Sequence, residues 1–404
     1  MNAITSLLAT TLLVYSGIVM SETTKQPPAS LRIATFNVSM EALNYLPAER
    51  GRAAKPTGNE LALALAQNHQ QIKNIAEIIQ QVNPDIILLN EFDSSDPSHK
   101  SLKHFLAHYL AKSQHGETAI NYPYFYQGPV NTGVATGYDL NNDSKTGELP
   151  NDAYGYGLFP GHFAMALLSK YPIVEDEIRT FQLFKWRDMP NAMKPITPDS
   201  NTSWYSDKAW QDFRLSSKSH WDIPVSVNGN ELHILASHPT PPVFDGPEDR
   251  NGKRNFDELR FWRDYLTPSA ASYIYDDNNQ YGGLANDKAF VILGDLNADA
   301  NDGDAIKAGI QGLIEHPRVL DPKPSSQGGK LHRKDNPNAK NHTAFWGIRA
   351  DYALPAKAQF NVLGSGVFWP TASEAEFRLV KDRAASSDHR LVWVDVAFKD
   401  SINK

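Results

Sequence analysis

Polar side chains able to hold a metal or move a proton recur where apolar stretches end. Asn37 follows LRIATF, Glu91 follows DIILLN, His238 follows LHILAS, and Asp295 and Asn297 stand in FVILGDLNAD. Asp351 lies in RADYAL, and Asp388-His389 precede LVWVDV. A carboxylate or amide at the end of a buried strand is costly unless it is paired or holds a cation. Taken one at a time, each reads as a strand-end cap or a satisfied turn residue. Together they combine oxygen donors suited to a hard divalent ion with imidazoles that exchange protons near neutrality. Metal-assisted attack of water on a phosphate ester uses both.

Positioning those residues requires strands that end together. Residues 31–37 alternate and read as a first strand. Residues 60–82 read as a helix, with Ile72, Ile75, Ile79 and Val82 at steps of three or four, and Asn83-Pro84 ends it. Residues 85–91 are short and nearly all apolar, the pattern of a strand buried on both faces. Glu91 then emerges at a carboxyl end, where open α/β sheets place ligands. Further strands are expected at 163–168, 223–227, 232–237, 290–293, 350–354 and 391–398, with a tight hairpin at Asn228-Gly229. A helix is expected over 254–266. Polar, aromatic and Gly/Pro-rich stretches at about 121–162, 182–220 and 322–344 exceed ordinary connections and read as insertions on one face. No repeat or linker divides the chain, so one domain over 31–398 is expected, followed by a tail at 399–404.

Composition narrows the classes. The 404 residues include no cysteine, which excludes thiol catalysis, disulfides, Cys-type zinc sites and iron–sulfur clusters. Apolar residues at 41% and charged residues at 21% are globular proportions. With 39 Lys+Arg against 46 Asp+Glu the formal charge is −7, so no global field draws in polyanions. Residues 1–21 carry no charged side chain, and the apolar run 6–20 is too short for a comfortable membrane span. It reads as a signal peptide followed by a polar spacer at 22–30, so an exported, periplasmic or extracellular protein is expected. No later stretch is apolar and long enough to span a bilayer, and no obligate protein partner is evident.

The blocks ATFNV, PDIILLNE, ALLSKYPI, ASHPTPP, VILGDLNAD, ADYAL and SSDHRLV occur in an order that resembles the endonuclease/exonuclease/phosphatase superfamily. That superfamily includes pancreatic-type deoxyribonucleases, abasic-site endonucleases, inositol polyphosphate phosphatases and bacterial sphingomyelinases. GDLNAD and SDH are its most specific blocks here, and the resemblance covers 31–398. It implies a four-layer α/β/β/α sandwich with two packed mixed β-sheets and a site at one edge. It also implies a divalent ion, Mg²⁺ or Mn²⁺, held chiefly by Glu91 with Asn37 and Asp388 close by. Asp295 resembles the aspartate that positions or deprotonates the attacking water, and Asn297 the donor to a phosphate oxygen. His389, oriented by Asp351, resembles the phosphate-side histidine. His238 stands where deoxyribonucleases and sphingomyelinases carry a candidate general acid. The carboxylate that orients that histidine in deoxyribonucleases has no clear match here; His162 and Glu175 flank the block without filling the place.

Three further features stand apart from the main set. Asp139, Asn141, Asp143 and Lys145 alternate like the start of a calcium loop, although Ser144 replaces the turn glycine and Pro150 the bidentate glutamate. Ca²⁺ is therefore a candidate ligand there. Trp186, Trp204, Trp210 and Trp221 lie among cations and suit either base stacking or a small satellite core. Lys218 and His220 are candidate phosphate contacts. The expectation is an exported, metal-dependent phosphoesterase whose substrate is a phosphate ester. An endonuclease on DNA or RNA, a sphingomyelinase-like phosphodiesterase and a non-catalytic binding protein on the same fold are the rivals.

Overall fold

The computed structural model describes residues 30–46 and 55–399. The expected signal peptide, nearly all of the spacer and the end of the tail lie outside the described residues. The strands are β1 (Leu31–Met40), β2 (Ile86–Phe92), β3 (Tyr124–Tyr126), β4 (Met165–Ser169), β5 (Arg179–Thr180), β6 (Ile196–Thr197) and β7 (Thr202–Ser203). They continue with β8 (His220–Val227), β9 (Asn230–Ser237), β10 (Ala289–Asp295), β11 (Asp351–Pro355), β12 (Phe360–Val367) and β13 (Val392–Phe398). The α-helices are α1 (Glu60–Ala66), α2 (Gln70–Val82), α3 (Lys100–Phe105), α4 (Asp207–Asp212), α5 (Arg250–Tyr265), α6 (Lys307–Ile314) and α7 (Gln327–His332).

One sheet runs β12-β13-β1-β2-β4-β3 and the other β11-β10-β9-β8-β5, with β6–β7 a separate ribbon. Within the two sheets β1–β2 and β9–β10 are parallel and the other pairs antiparallel, so both sheets are mixed. They pack face to face, β1 and β2 against β10, and β1 and β13 against β11. Ile33, Leu88, Val291, Leu354 and Val394 lie fully buried in one continuous core, as near-continuous apolar strands require. Helices close the outer faces. Gln71 of α2 donates to the Val38 carbonyl at 2.9 Å, and Trp262 of α5 donates to Ser237 Oγ at 2.9 Å. The fold is the four-layer α/β/β/α sandwich.

The helix expected over 60–82 is broken. α1 ends at Ala66, Asn68 turns left-handed (φ 55°), and α2 begins at Gln70. Asparagine tolerates that conformation because its short polar side chain bonds locally, so a polar Gln-Asn-His step interrupts the apolar stripe. Asn83 ends α2 the same way, at φ 50°. The hairpin forms as expected, with Asn228 and Gly229 at φ 49° and 85°. The helix expected from 254 starts a turn earlier, at Arg250.

Candidate active site

Strand direction gathers the candidate residues. Asn37 lies in the last turns of β1, Glu91 near the end of β2, and His238 directly after β9. Asp295 is the last residue of β10, and Asp351, the first of β11, is its registered partner. His389 precedes β13 by three residues, and β13 pairs antiparallel with β1. Glu91 adopts positive φ, 56°, a cost that a glutamate bears chiefly where surroundings over-determine it, and Asn297 does so at 52°, which asparagine tolerates.

Asp295 is the hub. Its Oδ2 accepts from Asn37 Nδ2 at 3.0 Å and lies 3.3 Å from His238 Nε2 and 3.6 Å from His389 Nε2. Its Oδ1 accepts the Asn297 N–H at 3.0 Å. His389 Nδ1 lies 2.9 Å from Asp351 Oδ2, which also accepts the Thr343 hydroxyl at 2.7 Å. Burial pushes the Asp295 carboxyl up to about 6, against the pull of His389. Burial draws the His389 imidazole down, but Asp351 and then Asp295 outweigh it and raise it to about 10. The His238 ring is held well below its ordinary value by burial, then by Lys218 and His389. One imidazole is therefore set as a cation and the other as a neutral ring.

Beside this relay lies a pit of carboxylates. Loss of hydration raises Glu91, and Asp388 raises it further. Buried Asp93 is held well above the usual range by desolvation and then by Glu41. Burial also pushes Asp388 upward, but His389 and Arg383 outweigh it and hold it below the usual range. Arg383 bridges Asp388 at 3.1 Å and Glu41 at 3.4 Å, and Glu41 also meets His162 at 3.1 Å. Crowded carboxylates only partly balanced by Arg383 and His389 are an environment that a hard divalent cation relieves, and Mg²⁺ needs only one or two of them beside its waters. The donor set fits such an ion, with Glu91 and Asp388 as its carboxylates and the Asn37 side chain adjoining. Among the described residues, the three-residue groups within metal reach are Asp295–Asp351–His389 and Asp299–Asp302–His342. The first is the relay itself. The second is internally satisfied, with Asp302 accepting from His342, Asn336 and Asn338.

Other expected contacts do not assemble. His220 is a core histidine: Nδ1 meets Ser216 Oγ at 2.7 Å, Nε2 meets the Glu258 carbonyl at 3.0 Å, and burial lowers the ring to about 3. Lys218, by contrast, is buried beside the site, where Glu91, Glu258 and Asp295 oppose the lowering of its pKa by desolvation. The 139–148 loop is closed on itself. Asp139 accepts the Asp143 and Ser144 N–H groups, Asp143 accepts from Asn141 and Lys145, and Lys145 Nζ pairs with Glu148. Its carboxylates cap a turn rather than converge on a calcium position. Trp186 and Trp221 are fully buried, Trp204 donates to the Leu140 carbonyl, and Lys194 and Arg250 lie over Trp210 and Trp204. This is the satellite core, not a stacking platform.

Some site residues are given no role by the sequence alone. Ser387 Oγ donates to the Asn37 carbonyl at 2.7 Å and accepts the His389 N–H at 3.1 Å. Thr343 lies in a polar stretch with no strand pattern, and its hydroxyl donates to Asp351 Oδ2 at 2.7 Å. Trp346, 45% exposed, sets its ring edge-on to His389 at 4.9 Å between centroids.

A sequence model described as Endonuclease/Exonuclease/phosphatase family matches residues 34–389. No curated protein is significantly similar in sequence. Among solved structures, an endonuclease/exonuclease/phosphatase from Beutenbergia cavernae DSM 12333 is similar at TM-score 0.51 and 17% identity, covering 91% of this chain and 72% of that one. The human Nocturnin catalytic domain with bound sulfate is similar at TM-score 0.46 and 13% identity, covering 92% and 95%. A mutant beta toxin from Staphylococcus aureus with bound magnesium ions gives 0.41 and 15%, covering 92% and 100%. With that match running over most of its length, the chain belongs to the endonuclease/exonuclease/phosphatase family.

Proposed function

We propose that this protein is a divalent-metal-dependent phosphoesterase in which Asp295 activates water against a phosphate ester. The observation that carries the reading is Asp295 itself, within 3.6 Å of two histidines and bonded to Asn37, beside the carboxylate pit. A carboxyl raised toward neutrality is a suitable base for a water proton. Bound in the pit by Glu91 and Asp388, the ion would polarise a phosphoryl oxygen and offset developing negative charge. The His389 imidazolium, fixed by Asp351, would neutralise a second phosphoryl oxygen. His238, favoured as a neutral ring rather than the charged acid first expected, would present its Nε2 hydrogen bond to the leaving side. Asn297 spends one amide hydrogen on the Pro239 carbonyl and keeps the other for phosphate.

A small phosphate ester suits the site better than a polynucleotide or a membrane lipid. The tryptophans of the 182–221 insertion are buried or packed against the core, leaving Trp346 beside His389 as the exposed one, and the chain is net acidic. Export through residues 1–21 belongs to the same reading, and no helix among the described residues is long and apolar enough to cross a membrane. Hydrolysis of bis-p-nitrophenyl phosphate tests it. Turnover should need Mg²⁺ or Mn²⁺, stop with EDTA and collapse in His389→Ala. Turnover indifferent to EDTA, or unchanged in that variant, would leave a binding protein as the better account.

A further inference from the structure

No side chain orients His238 through its Nδ1. Its Nδ1 is buried without a hydrogen bond, while Nε2 faces Asp295 at 3.3 Å. The main chain around it is fixed instead. Thr240, two residues on, donates its N–H to Glu258 Oε2 at 2.7 Å, and its carbonyl accepts from Asn255 Nδ2 at 2.9 Å. The same two side chains of α5 reach the other site-bearing loops. Glu258 Oε1 accepts the Ser217 N–H at 2.6 Å, next to Lys218. Asn255 Nδ2 donates to the Leu296 carbonyl at 3.0 Å, between Asp295 and Asn297. Arg254, on the same helix face one turn before Glu258, binds the Leu215 and Ser216 carbonyls at 2.8 and 3.0 Å.

Asn255 and Glu258 are essentially fully buried and Arg254 nearly so. Three such residues on a core-facing helix surface are expensive, and apolar side chains would pack the same contact more cheaply. What they supply that apolar residues cannot is direction, because each fixes a loop by its N–H or carbonyl rather than by contact alone. A misplacement of about 1 Å at a reacting group costs on the order of 100-fold in rate.

We propose that Glu258 and Asn255 are the positioning residues of this site, holding the loops at 217, 240 and 296 so that His238 faces Asp295 and Lys218 stands beside them. The inference rests on the phosphoesterase reading, and the experiment separates the two. Glu258→Gln keeps the shape but offers an NH₂ to one of two N–H donors. With bis-p-nitrophenyl phosphate and Mg²⁺, its kcat should fall by roughly 10- to 100-fold with KM little changed. In a His238→Ala background the same substitution should cost clearly less than its full factor, because the share of the loss that acts through His238 is already gone. Asn255→Asp removes both donor bonds and serves if Glu258→Gln does not fold; its loss should be partly absorbed by His238→Ala and should multiply with Lys218→Ala. The His238 ring-proton resonance gives a readout independent of turnover and should move in both variants. A folded Glu258→Gln with wild-type kcat, losses that multiply with His238→Ala, or an unmoved resonance would overturn the proposal. A wild-type protein inactive with metal would instead overturn the phosphoesterase reading, and the resonance would still decide the clamp.

Discussion

Two histidines of one chemical type differ in charge, one a cation and one neutral, because of their surroundings. His389 lies between Asp351 and Asp295, and the two carboxylates outweigh the cost of burial; His238 shares Asp295 but also feels Lys218 and His389. The shared hub sets the activity profile. A base must be deprotonated to accept the water proton, so kcat/KM should rise with pH through a limb at about 6, and a bound cation nearby moves the limb lower. A limb well above neutrality would exclude Asp295 as the base. Asp351→Asn removes the partner of His389 Nδ1 and should lower kcat by roughly 100- to 10,000-fold while KM changes little. A kcat within a few-fold of wild type would mean that His389 is oriented by something else. Stability follows the same contact with a definite sign. The folded His389 pKa lies above the ordinary value, so its contribution is complete below about 6.5 and is lost as pH rises through about 10. Melting of the metal-free protein across that window should steepen in wild type and flatten in Asp351→Asn.

The elements bearing these residues were largely legible in the sequence, because buried strands announce themselves as apolar runs with defined ends. β1, β2, β4, β9, β10, β11 and β13 fall within a few residues of where such runs lie. β12 did not, because FNVLGSGV trades apolar side chains for glycines; a Cβ at Gly366 would stand 2.8 Å from the Trp393 ring on the neighbouring strand. The three-residue β3 and two-residue β5 are too short to carry a period. The glycine of GDLNAD has a structural reason of its own. A Cβ on Gly294 would lie 1.9 Å from the Ser237 carbonyl oxygen, at the end of β9 beside β10. That approach sets His238 against Asp295, so Gly294→Ala should force the two strands apart. An expected cost of ~1–3 kcal/mol, read as a lowered Tm, should be accompanied by a drop in kcat. Lost stability with unchanged kcat would show that the close approach serves the sheet and not the site.

At the scale of the molecule, the site was legible as a set of types in order, but not in the direction each side chain takes. His220 and Lys218 are two residues apart, yet one turns into the core and the other toward the site. The difference is made by the Glu258 carbonyl, 38 residues away, which no local pattern reveals. Asp139 and Asp143 likewise look like ligands until the turn that they cap is seen. The charge of −7 is equally uninformative as a sum, because what matters is its concentration: Glu41, Glu91, Asp93 and Asp388 share one pit. Repulsion left in such a pit would be relieved by the proposed cation, which would link stability to metal binding. Adding Mg²⁺ at ~100 times its dissociation constant should stabilise the protein by about 2.7 kcal/mol, and EDTA should reverse it. Glu91→Gln separates the two terms. It removes one repelling charge, so the metal-free variant should melt above metal-free wild type, and it removes the principal carboxylate, so Mg²⁺ should no longer raise its Tm. A variant that melts lower without metal, or still responds fully to Mg²⁺, would move the cation away from Glu91 and leave the pit as an acidic cluster balanced by Arg383 and His389.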